Sequence, residues 1–169
     1  GEIIQDYVGK PDPTNLAIGC NDGSDTLRLL EKFDNPKLYC FEPDPRAIAQ
    51  FKVNVGQRSN VNLFEFAISN HDGDIKFNQS GGRLHESPEG GWNGSSSIRQ
   101  PKIHLDIYPD ITFEKETTVK SLALDTWCKE NGINIIDFIW MDVQGAEIDV
   151  FKGGMNALAK TRFIYTEYG

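Results

Sequence analysis

Carboxylates and amides cluster where apolar runs stop. Asn21 and Asp22 follow Leu16–Ile18, and Glu42 and Asp44 follow Leu38–Phe41. Asp142, Gln144 and Glu147 follow the run from Ile135 to Met141, and Glu167 follows Arg162–Thr166. If those runs are parallel strands, their polar followers line the crevice beyond the carboxyl ends of the sheet, where ligands of open α/β folds bind. The first run passes into the turn Gly19-Cys20-Asn21-Asp22-Gly23 and then into Leu27, Leu29 and Leu30, the apolar side of a helix. A strand, a glycine turn and a helix, with an acid at the tip of the next strand, suit a ligand that carries a ribose. A pyrophosphate would call for the spacing GxGxxG and few acids. This turn has Asn21 at the middle position and carries Asp22 and Asp25. It suits a cationic head better, while its backbone amides can still receive a carboxylate. S-adenosylmethionine unites an amino acid head, a sulfonium and a ribose. Glu42 would accept both ribose hydroxyls, because an ionised carboxylate takes several donors at once.

Simpler readings stand beside this one. Glu42 before Pro43, and Asp142 and Glu147 before an apolar helix, are also what helix starts favour. The three histidines, His71, His85 and His104, have no spacing that suggests a metal site. Trp92 sits in a Gly/Ser-rich stretch, where docking onto the domain and contact with a substrate are equal readings.

The elements that must hold these residues follow from periodicity. Ile3, Ile4, Tyr7 and Val8 have helical spacing, ended by Pro11 and Pro13. Strands are expected at Leu16–Ile18, Lys37–Phe41 and Val61–Ile68, with helices between them. Pro43 and Pro45 mark the start of the second helix, and Phe51, Val53 and Val55 fill its late half and the following loop. His71-Asp72-Gly73 reads as a hairpin turn into a short strand at Asp74–Asn78. Residues 79–100 are rich in Gly and Ser and read as a loop or lid. One or two strands follow, from the alternation at Ile103, Leu105 and Ile107 and from Phe113 to Thr118. Ser121 reads as the cap of a helix through Trp127 that Gly132 ends. Ile135–Met141 is apolar throughout, as a central parallel strand requires. A helix at Ile148–Leu158, interrupted at Gly153-Gly154, and a strand at Arg162–Thr166 complete the chain. The fold class is α/β, a doubly wound and mostly parallel Rossmann-like sheet.

The chain has 169 residues, enough for one domain with a real core. Acids outnumber bases 25 to 17, for a net charge of −8, so a nucleic-acid partner is not expected. The cysteines, Cys20, Cys40 and Cys128, are odd in number and match no zinc spacing. Reduced structural thiols, and hence a cytoplasmic location, are expected. No apolar stretch reaches transmembrane length and no signal peptide is visible. The first residue is Gly rather than Met, which fits a trimmed start.

Four segments resemble the FkbM-type methyltransferases, a branch of the class I S-adenosylmethionine-dependent enzymes. IGCNDGSDT resembles the family's first motif, CFEPDP its glutamate-proline stretch, and FAISNHDGDIKF its third motif with the strand after it. SLALDTWCKENGINIIDFIWMDVQGAEIDVFKGG resembles the most specific block, with aspartate-valine-glutamine-glycine-x-glutamate and a lysine-glycine-glycine tail. The chain departs from the family at Ala17, where an aspartate is common, and at Ala123, where a threonine is common. The resemblance implies a single methyltransferase domain over residues 1–169, with 79–100 as the lid. It also implies two further antiparallel edge strands that the sequence does not reach, so either a shortened member or a partial chain is expected. An open sheet edge would favour a homodimer.

The resemblance implies O-methylation of a hydroxyl on a sugar or other small molecule, with S-adenosylmethionine as cofactor. Gly19, Cys20, Asn21, Asp22, Gly23, Glu42, Pro43, Asp44, Ala67, Ile68 and Asp142 are the expected cofactor-binding residues, Ala67 and Ile68 forming a wall for the adenine. Asp142 is expected nearest the acceptor, as base or as orienting group. Glu147 and Glu167 complete the catalytic set. These acids with Asp142 would make an oxygen-rich site for Mg²⁺, the lesser reading, and no metal ligand is assigned. The alternatives are a catalytically silent nucleoside-binding module and an NAD-dependent oxidoreductase.

Overall fold

The computed structural model describes residues 2–79 and 115–166. The expected strand at 103–107, the Gly/Ser-rich stretch beyond Gln79, Trp92, His85, His104 and Glu167 lie outside them. Five strands form one parallel sheet: β1 (Thr14–Ile18), β2 (Lys37–Phe41), β3 (Val61–Phe64), β7 (Ile136–Met141) and β8 (Thr161–Thr166). Their order is β3-β2-β1-β7-β8, every neighbour parallel. The chain winds outward from β1 to β3, returns across β1 to β7, and winds outward again. The two windings part beside β1, so the switch point lies at its tip.

Both faces of the sheet are covered, which is why β1, β2 and β7 are apolar nearly throughout. On one face Ala17, Leu38, Cys40 and Phe138 pack with Val8 of α1 (Glu2–Val8), Leu29 of α2 (Ser24–Lys32) and Phe51 of α3 (Pro45–Asn54). On the other, Leu16, Ile18, Phe41 and Ile139 pack with Trp127 of α4 (Leu124–Glu130), Val150 of α5 (Glu147–Lys152) and Ala157 of α6 (Met155–Ala159). Trp127 receives Tyr39, Phe41 and Phe64 edge-on at 4.8–5.5 Å between centroids, which pins α4 to β2 and β3.

A second sheet of three strands was not foreseen. β4 (Ala67–Ser69) lies parallel to β6 (Lys115–Ala123), and β5 (Gly73–Gln79) lies antiparallel to β6 on its other side. Two expectations are corrected. The run 61–68 is two strands, broken at Glu65-Phe66 where the chain leaves one sheet for the other. The turn at 71–73 is not a hairpin, because β6 separates β4 from β5.

Local chemistry accounts for further differences. Ser121 is buried inside β6 and caps no helix. Asp72 ties down the start of α4 instead: its carboxylate accepts from the Ala123 amide at 2.9 Å and the Thr126 hydroxyl at 3.0 Å. Val53 is 84% exposed, while Phe51 and Val55, two residues to either side of it and four apart, are buried on the helical face. The expected helix 148–158 is two helices. A Cβ on Gly153 would overlap the carbonyl oxygen of Ser69, so the helix end presses directly on β4. All three cysteines are free and buried. Among the described residues no helix is long and apolar enough to cross a membrane.

Candidate active site

The tips of β2, β1 and β7 stay joined past the last strand residue. The amides of Gly19 and Cys20 both donate to Phe41 O, at 3.0 and 3.1 Å, and Asp142 N donates to Ile18 O at 3.0 Å. Gly19 has φ +79°, and a Cβ there would overlap the carbonyl oxygen of Asp142. Only glycine lets the two tips approach this closely. Gly23, at φ +87°, opens α2 with an added Cβ 2.5 Å from Val55 Cγ2, so the turn also seats on α3. Glu42 and Asp142 thus flank the Gly19 turn from the two adjacent strands. They line one cleft with Pro43, Ala67, Ile68 and Val143.

Glu42 is buried and held by backbone. Its Oε1 accepts from the Asn21 amide at 2.9 Å and its Oε2 from the Asp44 amide at 3.0 Å. Burial pushes its pKa up to about 7. The two amides work against that rise, and the charges of Asp44 and Asp142 add to it. Each carboxylate oxygen keeps a second lone pair for a donor. Asn21 adopts φ +48°, a conformation Asn tolerates better than most residues, and its buried side-chain oxygen has no hydrogen-bond partner among the described residues. An orphaned acceptor and a backbone-anchored carboxylate sit at one tip, beside a turn that only glycine fits. This donor-hungry set fits a ligand rich in N–H and O–H groups, as the ribose and ammonium of S-adenosylmethionine are.

The other expected residues divide by where their side chains go. Asp44 caps α3, accepting from Arg46 N at 2.9 Å, and pairs with Arg46 Nη2 at 3.3 Å, so its amide is what reaches Glu42. Asp22 accepts from Ser24 N at 3.0 Å, and its carbonyl accepts from Asn54 Nδ2 at 2.9 Å, which fastens the turn to α3. The Cys20 side chain turns into the core beside Cys40. Burial first, and then that neighbour, push its thiol well above the usual range. Ala67 and Ile68 line the cleft, and Phe77 of β5 completes that wall. Phe77 had not been singled out. Its place on the buried side of a strand with Ile75 was the available signal.

On the β7 side, Gln144 Nε2 donates to Asp142 Oδ1 at 2.8 Å. Glu147 is buried at the head of α5, and its Oε1 accepts from Gly145 N at 3.3 Å. The segment 142–147 is therefore a hook closed on itself, with Asp142 at its cleft end. Glu167 lies outside the described residues. Among those residues, no group of three or more His, Cys, Asp or Glu side chains is placed to hold a metal ion.

A parallel sheet with its switch point at a glycine turn, flanked by two acids on adjacent strand tips, is the arrangement of an α/β protein that takes a ligand at the carboxyl end of its sheet. The Methyltransferase FkbM domain matches residues 17–169, and the chain belongs to that family. It is also similar to 2-O-methyltransferase NoeI of Sinorhizobium fredii. The two are 52% identical over 165 residues, which span 98% of this chain and 67% of that protein. The protein is thus an S-adenosylmethionine-dependent methyltransferase, and the nicotinamide reading falls away.

Proposed function

We propose that the protein methylates a hydroxyl oxygen of a sugar or related small molecule, with Glu42 holding the ribose, the 19–23 turn receiving the amino acid end and Asp142 orienting the acceptor. The observation that carries this is the placement of Glu42 and Asp142 on either side of Gly19, facing one cleft. The similarity to a protein named 2-O-methyltransferase supports oxygen as the acceptor atom. S-adenosylmethionine, when bound, supplies an electrophilic methyl group on a sulfonium sulfur.

The chain's own residues do the rest. Glu42 is fixed before the ligand arrives, since two backbone amides set its orientation, so little ordering remains to be done on binding. Ala67, Ile68, Phe77 and Val143 give the cleft an apolar wall that excludes water. Asp142 accepts the hydrogen bond of the acceptor hydroxyl and so aims a lone pair of that oxygen. A carboxylate is too weak a base to ionise an alcohol beforehand, so the proton moves to Asp142 only as positive charge builds on the oxygen. Orientation supplies most of the rate.

The test pairs calorimetric titration of S-adenosylmethionine and S-adenosylhomocysteine with transfer of labelled methyl to a panel of methyl glycosides. Asp142→Asn is expected to keep cofactor affinity and lose turnover. A variant with undiminished turnover would remove Asp142 from the reaction.

A further inference from the structure

We infer that Gln144 is a positioning residue that holds the Asp142 carboxylate in its working orientation; this rests on the reading of Asp142 given above. The first ground is an oddity of backbone. Gln144 sits at φ +51°, followed by Gly145 at φ +95°. Left-handed backbone is rare outside glycine, and where a side chain is present it is Asn or Asp that is enriched, not Gln. Strain of this kind persists where the surroundings impose it, and it gathers at functional sites.

The backbone of the turn is held by groups other than the side chain of Gln144. Asp142 N is bonded to Ile18 O, Ala146 N donates to Val143 O at 3.3 Å, and Gly145 N is held by Glu147. The backbone of the hook is thus closed by other groups. The Gln144 side chain places a 2.8 Å bond from Nε2 on Asp142 Oδ1. Asn, the residue the backbone would favour, has one methylene fewer and falls short of that oxygen.

The chemistry suits a neutral amide. Asp142 has like charge near it, from Glu42 across the cleft. A cation at position 144 would neutralise the carboxylate and blunt its affinity for a proton. An amide orients it while leaving its charge in place.

Gln144→Asn separates the two demands on the position. It relaxes the backbone and withdraws the donor. The expected result is a melting temperature equal to or above that of the parent, affinity for S-adenosylmethionine within about twofold, and a kcat toward the methyl glycoside probes lower by about 10- to 100-fold, the loss expected when a reacting group is misplaced. The parental kcat in this variant would overturn the inference. A second readout needs no acceptor. In ¹H–¹⁵N spectra the Gln144 side-chain amide, identified by its absence from Gln144→Asn, is expected to move to a new position in Asp142→Asn, where its charged acceptor is gone. An amide resonance that is the same in the parent and in Asp142→Asn would also overturn the inference. If that resonance moves but Asp142→Asn turns over fully, the contact stands and the catalytic reading of Asp142 is what has failed.

Discussion

Glu42 makes cofactor binding depend on pH in a way that can be worked out from the site. Its pKa in the folded protein is about 7, against 4.5 for the free side chain, with burial the largest cause. The ribose hydroxyls need acceptors, and the sulfonium favours negative charge nearby, so the ligand selects the ionised carboxylate. Below the folded pKa, binding must first remove a proton. Affinity is therefore expected to fall about tenfold for each pH unit below about 7 and to level off above it. Near neutrality, binding should release about half a proton, visible as a dependence of calorimetric enthalpy on buffer ionisation enthalpy.

Stability without ligand runs the other way. The native state keeps a proton that the unfolded chain has lost between pH 4.5 and about 7. Stability should therefore decline as pH rises through that window, by roughly 3 kcal/mol in all at about 1.4 kcal/mol per unit. Glu42→Gln should abolish both slopes, and it isolates Glu42 from the ligand's own ammonium, which titrates in both proteins. An affinity constant from about pH 5 to 8 with no proton release would refute the reasoning, because Glu42 would then be ionised before the ligand arrives or would not touch it.

Three further expectations follow from the same geometry. Gly19→Ala places a methyl group against the Asp142 carbonyl at φ +79°, and should lower stability by about 1–3 kcal/mol and abolish cofactor binding by calorimetry. Asp137→Asn should lose stability at neutral pH by about 1–3 kcal/mol in urea titrations and flatten the acid limb of unfolding. Burial alone would raise the Asp137 pKa, but the Thr14 amide, Arg162 and Lys10 together hold it below the usual value. The stability it contributes is therefore present above about pH 4 and is lost as pH falls through the lowered pKa. Asp72→Ala removes the tie on the first turn of α4 and should cost about 1 kcal/mol, or about 2–4 °C in Tm, with cofactor affinity unchanged.

The strands that carry the site were legible because each is a short apolar run closed by a polar residue, and direction alone then puts Glu42 and Asp142 at the same end of one sheet. What escaped was non-local. The stretch Val61–Ser69 reads as one largely apolar run while it changes sheets, because hydrophobicity records that a strand is buried and not which strand is its partner. Asp72 caps a helix start 51 positions away, where Ser121 looked the better cap by proximity. Gly153 reads as a helix breaker, yet it is needed because the carbonyl of Ser69 lies against it. Within the site, the side chain of Cys20 could not be aimed from sequence. Its direction follows from the two amides that bend onto Phe41 O and turn the thiol into the core. The bond from Gln144 to Asp142 was hidden for a similar reason, since it exists only because residue 144 adopts a conformation that its own type disfavours.

Two buried carboxylates at opposite ends of the same sheet show how the fold separates stability from function. Asp137, at the amino end of β7, is met by the Thr14 amide at 2.9 Å, by Arg162 at 3.1 Å and by Lys10 at 3.3 Å. The same guanidinium donates to the carbonyl of Val8 at 2.8 Å, so α1, β1, β7 and β8 are bound at one point. The Thr14 amide and then the two cations together more than offset the desolvation of that acid, and its pKa falls. Glu42, at the carboxyl end of β2, is met by amides alone, with Asp44 and Asp142 adding like charge, and its pKa rises. Both side chains are buried, and their partners differ. A cation beside Glu42 would stabilise the empty protein and would also occupy the lone pairs and cancel the charge that a sulfonium nucleoside needs. The protein instead leaves this acid under-satisfied next to the orphaned oxygen of Asn21. The ligand's own donors then complete a set that the fold has left open, and the free energy recovered in doing so becomes binding.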